Sequence, residues 1–203
     1  PFIQIPDTGI QPRSALGYTF KALAKMVGRD DVGEQAASLA SKLDADTLEP
    51  QGRELAETLK GKVPVVYTSN RNYSVAYNWK IKFNETAKIP AFYNVFPELN
   101  HNEMTGFDVK ESSKKLSENF HFLFLKDSDD HPKIQKRMEV LEKLYKERGL
   151  PVTVLDLKGS STLEKIFSSL VLGDWTAYYT AQQYGLESEQ VPMVEEFKKL
   201  ILE

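Results

Sequence analysis

Apolar residues recur along this chain at two alternating periods. Leu16, Phe20, Leu23 and Val27 fall three to four apart, which predicts a helix over 14–28 stopped by Gly28. Residues 32–60 are rich in Ala and Leu with charges interspersed, and predict one or two further helices broken near Pro50. VPVVYTS at 63–69 is a short β-branched run ending in small polar residues, the pattern of a buried parallel strand entering a loop. Val75, Trp79 and Phe83 then mark one face of a helix over 74–88, and IPAFYNVF at 89–96 reads as extended. FHFLFLKD at 120–127 is the clearest strand. Ile134, Met138, Leu141 and Tyr145 set the inner face of a helix over 132–148, with Gly149 past its end. PVTVLDL at 151–157 is a further strand, 161–184 a long helix and 194–202 a short last one.

Strands that alternate with helices, three of them apolar throughout, predict a three-layer α/β/α fold around an open, mostly parallel sheet. In such sheets ligands bind beyond the C-terminal strand ends. Two loops fall at that edge, Thr68–Asn72 and Lys126–His131. The opening PFIQIPDTGIQPR starts on a proline, has two more within twelve residues, and reads as an extended linker. The expected organisation is a linker over 1–13 from a missing N-terminal half, a helical segment over 14–60, and a C-terminal α/β domain over 61–203. The chain would then be the later part of a longer polypeptide.

Composition narrows the function classes. The 203 residues are 41% hydrophobic and 27% charged, with a net charge of −3, ordinary values for a globular protein. The Lys114-Lys115 and Lys198-Lys199 pairs are short and not interleaved with aromatics, so no nucleic-acid partner is expected. No apolar run approaches the ~20 residues of a membrane span, so no membrane partner is expected either. The chain has no cysteine, which removes disulfides and thiolate-bound metals and fits a cytoplasmic protein.

Candidate chemistry concentrates in WKIKFNETAKIPAFYNVFPELNHNE, residues 79–103, which holds Glu85, Glu98, His101 and Glu103. Glu85 lies near the end of a helix, off its apolar stripe; it reads either as a surface glutamate or as a general base. Of the three histidines, His121 alternates within a strand and reads as packed or solvent-facing, and His131 precedes Pro132 and reads as a helix cap. His101 differs in having Glu98 and Glu103 beside it, which would orient the ring and raise its pKa; the same three side chains are an alternative metal-ligand set. Arg13, between Pro12 and the first helix, is either a linker charge or a fixed cation for a developing oxyanion. Lys198 carries no signal by pattern alone. Ser160, Ser161 and Thr162 open a helix and read as its N-cap, with an anion site as the alternative.

QPRSALGYTF, VPVVYTS, NWKIKFNETAKIPAFYNVFPELNHNEMTGF and VPMVEEFKKLI, in this order, resemble the bifunctional phosphoglucose/phosphomannose isomerases, a family of the sugar isomerase (SIS) fold. The likeness runs from about residue 11 to 202, and over 30–60 and 108–190 it is one of fold more than motif. It implies a flavodoxin-type SIS domain, a cytoplasmic homodimer serving glycolysis and gluconeogenesis, and no metal or organic cofactor. Glucose 6-phosphate, and mannose 6-phosphate in bifunctional members, would interconvert with fructose 6-phosphate through a cis-enediol. The resemblance assigns Glu85 as the proton-transferring base and His101, from the partner subunit, to ring opening. It assigns Arg13 to the enediolate and Lys198 to the ring-opening end.

Two departures matter. The family has two SIS halves, and the first holds the sugar phosphate in a Ser/Thr-rich loop that has no equivalent here. The resemblance therefore implies a C-terminal half, inactive or weak in isolation. Members that accept mannose 6-phosphate can carry threonine before the last proline, where this chain has Val191, so the epimer preference stays open. The competing readings are a non-catalytic SIS-type module for sugar-phosphate binding or dimerisation, and an unrelated flavodoxin-like binding domain. The joint presence of Arg13, Glu85, His101 and Lys198 favours the isomerase.

Overall fold

The computed structural model describes residues 2–202; Pro1, where the expected linker begins, and Glu203, where the expected domain ends, lie outside them. Two short helices, α1 (Leu16–Met26) and α2 (Asp30–Ser38), precede α3 (Ala45–Thr58). The α/β part follows as β1 (Val63–Ser69), α4 (Tyr73–Glu85), β2 (Phe92–Phe96), α5 (Glu103–Gly106), β3 (Phe120–Lys126), α6 (Pro132–Glu147), β4 (Val152–Asp156) and α7 (Thr162–Gln183), and α8 (Pro192–Leu200) ends the chain.

The four strands are parallel in the order β2-β1-β3-β4. Ser69 pairs with Phe96 and Lys126 with Asp156, so the C-terminal strand ends line up along one edge. Strand alternation divides the core. Val66, Leu123, Leu125 and Leu155 face α3, α4 and α7, whereas Val65, Tyr67, Phe122 and Phe124 face α6. Both faces of β1 and β3 are thereby covered, as their unbroken apolar runs require, and the edge strands β2 and β4 are only partly buried. This is the expected three-layer arrangement.

One expectation fails. Pro50 does not break a helix; it sits in the second turn of α3. The residue is exposed, so the carbonyl that loses a donor faces water, and the rest of α3 is held by its packing on α7. That packing is close: a Cβ on Gly52 would lie 2.4 Å from the Trp175 Cβ. The chain instead breaks over 39–44, where Leu39–Ser41 winds as a 3-10 turn and Asp44 caps α3 by accepting from the Asp46 amide at 3.0 Å.

His131 and His121 take the roles their sequence context suggested. His131 Nδ1 accepts from the Lys133 amide at 3.1 Å and caps α6. His121 is packed, 5% exposed, on the face of Leu123 and Leu125, with Nε2 2.8 Å from Thr153 Oγ1. Burial, helped by the charge of Lys62, lowers its pKa from 6.5 to about 4.

The unfolded chain therefore takes up a proton near pH 6.5 that the folded chain refuses until about pH 4. Stability from the neutral ring is complete above that window and is lost as pH falls through it, by about 3 kcal/mol. Urea titrations should show this slope between pH 6.5 and 4 reduced in His121→Gln; an unchanged slope would place the acid sensitivity elsewhere.

Candidate functional site

Helix α4 starts at the C-terminal strand ends and runs back, so its last residue, Glu85, emerges at the opposite edge of the sheet. Its register against α7 is set by two contacts. Trp79 Nε1 donates to Ser169 Oγ at 2.9 Å, and the buried Lys82 ammonium pairs with Asp174. Burial raises the Asp174 carboxyl above its usual range, and Lys82 and Arg13 offset part of that. After Glu85 the chain turns at once: Asn84 Nδ2 donates to the Ile89 carbonyl at 3.0 Å, and Lys88 takes a left-handed φ of 60°.

Arg13 comes from the far end of the sequence, in a 3-10 turn over Pro12–Ser14. Its Nε donates to Thr86 Oγ1 at 3.0 Å, and its Nη2 to the carbonyls of Ser188 at 2.9 Å and Glu189 at 2.7 Å. These carbonyls belong to the loop between α7 and α8, which folds on itself: the Glu187 carboxylate accepts from the amides of Glu189 and Gln190 at 2.7 and 2.6 Å. Those amide donors hold the Glu187 carboxyl below its usual range. The remaining nitrogen, Nη1, lies 3.6 Å from Glu85 Oε2. The Arg13 side chain is 7% exposed and that of Glu85 43%, so a fixed cation sits behind a carboxylate that solvent can reach. Glu85 lines a cleft of about 780 Å³ with Lys88, Pro90, Gln190, Val191 and Met193. A carboxylate so placed can exchange a proton with a bound molecule, and the guanidinium can stabilise negative charge that develops beside it.

The fold thus brings Glu85 and Arg13 together. It does not bring His101 to them. His101 is exposed and follows β2, beyond the C-terminal strand ends, whereas Glu85 lies at the N-terminal edge, a strand length away, on the order of 15 Å. Nor does Glu98 or Glu103 hold the ring. Glu98 accepts from Asn102 at 3.0 Å, and the Glu103 carboxylate accepts from Tyr67 and Asn94, so both carboxylates face partners other than the ring. Lys198 is exposed on α8 and pairs with Glu195 at 2.7 Å, and α8 has no buried residue.

The two loops at the C-terminal edge do meet, over a filled crevice. Lys165 Nζ lies 2.7 Å from Asp127 Oδ1 and 2.8 Å from Asp129 Oδ2, and Asn72 donates to Asp127 at 3.1 Å. Ser161 is the N-cap of α7, accepting from the Glu164 amide at 3.2 Å. Glu164 reaches back to accept from the amide and hydroxyl of Ser160 at 3.0 and 2.6 Å, so an acid already occupies this helix start.

Sequence reasoning missed Thr86, Lys88 and the Ser188 and Glu189 carbonyls. The last two lie 175 and 176 residues from Arg13 and act through backbone atoms, which leave no side-chain signal. Thr86 and Lys88 sit in the NETAK string, where only proximity to Glu85 singles them out.

Residues 49–201 match the family described as the bacterial phospho-glucose isomerase C-terminal SIS domain. The chain belongs to that family. It is 34% identical over 200 residues to a bifunctional phosphoglucose/phosphomannose isomerase of Thermoplasma volcanium, covering 97% of this chain and 62% of the relative. To the enzyme of the same name from Aquifex aeolicus it is 29% identical over 191 residues, covering 94% of this chain and 58% of that one. The chain thus spans about three-fifths of the length of these curated relatives. Among solved structures it is similar to a glucose-6-phosphate isomerase-like protein of Thermus thermophilus, with a TM-score of 0.64 at 16% identity over 88% of this chain and 61% of that chain. It also resembles a glucosamine-6-phosphate deaminase of Thermotoga maritima, with a TM-score of 0.61 at 16% identity over 90% and 55%. These two likenesses establish the SIS-type fold. Among the described residues no helix is long and apolar enough to cross a membrane.

Arg13, which lies before the matched residues, ties the Pro12–Ser14 turn, the end of α4 and the loop after α7 to one point. Arg13→Met should lower the unfolding free energy by about 2 kcal/mol, since it strands partly buried acceptors. Amide exchange should also quicken over 186–190. Unchanged exchange in that loop would show that the guanidinium does not hold it.

Proposed function

We propose that this chain is the C-terminal portion of a sugar-phosphate isomerase that interconverts aldose and ketose phosphates, with glucose 6-phosphate and fructose 6-phosphate as the reacting pair. The observation that carries the reading is the solvent-accessible Glu85 carboxylate in a cleft of about 780 Å³, backed at 3.6 Å by the fixed Arg13 guanidinium. Moving a proton between adjacent carbons needs one base that takes and returns it, and positive charge beside the enediolate formed between those steps. Glu85 supplies the first and Arg13 the second. The names of the relatives supply the substrate class.

The remaining parts come from outside the Glu85 cleft of a single chain. His101 sits at the other edge of the sheet, so it serves ring opening only for a second copy, and the working unit is a homodimer. Lys198 joins the ring-opening end when α8, which buries none of its own residues here, packs against the assembled protein. The phosphate is held by an N-terminal SIS half, because at the C-terminal edge of this domain the Lys165 ammonium is already neutralised by Asp127 and Asp129 and the Glu164 carboxylate sits at the start of α7. Val191 lines the Glu85 cleft, which makes it the place to look for mannose 6-phosphate discrimination.

The test is Glu85→Gln in the full-length protein. Turnover of glucose 6-phosphate should fall by about 10² or more, the scale for losing a general base. Exchange of the C2 proton with deuterated solvent should be lost together with it. Near-parent turnover in that variant would remove Glu85 from the mechanism.

A further inference from the structure

Lys88 has no role in the reading above, yet its placement is unusual on three counts. Its backbone sits at φ 60°, a conformation that glycine and asparagine adopt more readily than lysine. Its side chain folds back instead of extending into water, and the ammonium donates to the carbonyl of Glu85, the last residue of α4. The same ammonium lies 3.2 Å from the Ser188 carbonyl, which also accepts from Arg13 at 2.9 Å. One carbonyl is therefore shared by two cations, and both flank Glu85. The charged groups that face Lys88 are Arg13 from the N-terminal turn, Glu187 from the loop after α7, and Glu85 itself; burial and Arg13 lower its pKa, and Glu187 and Glu85 partly restore it.

We propose that Lys88 is a positioning residue: it clamps the end of α4 to the loop that carries the Arg13 acceptors, and so fixes the Glu85 carboxylate against the guanidinium. The clamp needs both of its ends. Without it, the last turn of α4 is free to fray from the loop, and the separation of Glu85 from Arg13 is no longer set. This inference rests on the reading of Glu85 as the proton-transferring base.

The experiment uses the full-length protein with glucose 6-phosphate. Lys88→Asn keeps the left-handed backbone but is too short to reach either carbonyl. Its kcat should fall on the order of tenfold, as expected when a reacting group is held loosely, with KM unchanged. Lys88→Arg, which keeps charge and reach, should restore kcat. A parent-like kcat in Lys88→Asn would overturn the proposal. So would equal losses of kcat in the asparagine and arginine variants, the mark of a role that charge and reach do not serve. Should the asparagine variant not fold, Lys88→Gly takes the same φ without strain and carries the same expectations. Full activity in Glu85→Gln would instead defeat the underlying assignment of the base, whatever the Lys88 variants show.

Discussion

The position of the candidate site depends on how one helix seats on another. Trp79 is fully buried between α4 and α7, and its ring is accommodated because residue 173 has no side chain. A Cβ on Gly173 would stand 3.2 Å from the indole and from the Lys82 Cδ. The indole N–H then finds Ser169, and Lys82, one turn nearer the site, finds Asp174. Large apolar area secures the seat, and the two polar contacts choose the register, since sliding α4 by a turn would leave a buried donor and a buried ammonium without partners. Glu85 follows Lys82 by three residues, so its place at the sheet edge is inherited from that register.

Around this fixed point the fold gathers groups from opposite ends of the chain. Arg13 approaches before the first helix and the Ser188–Glu189 carbonyls after the longest one, and they meet beside the final turn of α4. Three of the four contacts of Arg13 described above go to neutral oxygens, which spend its donors on structure and leave one nitrogen toward the carboxylate. A guanidinium held in this way cannot swing to follow a ligand, a favourable property where charge must be ready before a reaction begins.

The fold was legible because its signals are local. Unbroken apolar runs at 63–69 and 120–126 could only be strands covered on both sides, and the Val75-Trp79-Phe83 spacing could only be a helix with one buried face. Pro50 misled because a helix tolerates proline near its exposed start when tertiary packing holds the remainder. The site was legible in a different way. Spacing left Glu85 and Arg13 with bland alternatives, and the family resemblance lifted them out. Structure then showed them in contact. What neither route could supply was the role of Lys88 and of the loop carbonyls, because a backbone φ and a contact across 100 residues have no sequence period.

At the other edge of the sheet, the crevice between the two central strands is filled by the chain itself. The Lys165 side chain, 9% exposed, lies among Asp127, Asp129 and Asn72, where an α/β fold commonly receives its ligand. The ammonium acts as a resident occupant that never dissociates. The strand ends on this side accordingly stay ordered at any metabolite concentration, and the domain forgoes at that edge the mass-action stabilisation that an open crevice gains from its ligand.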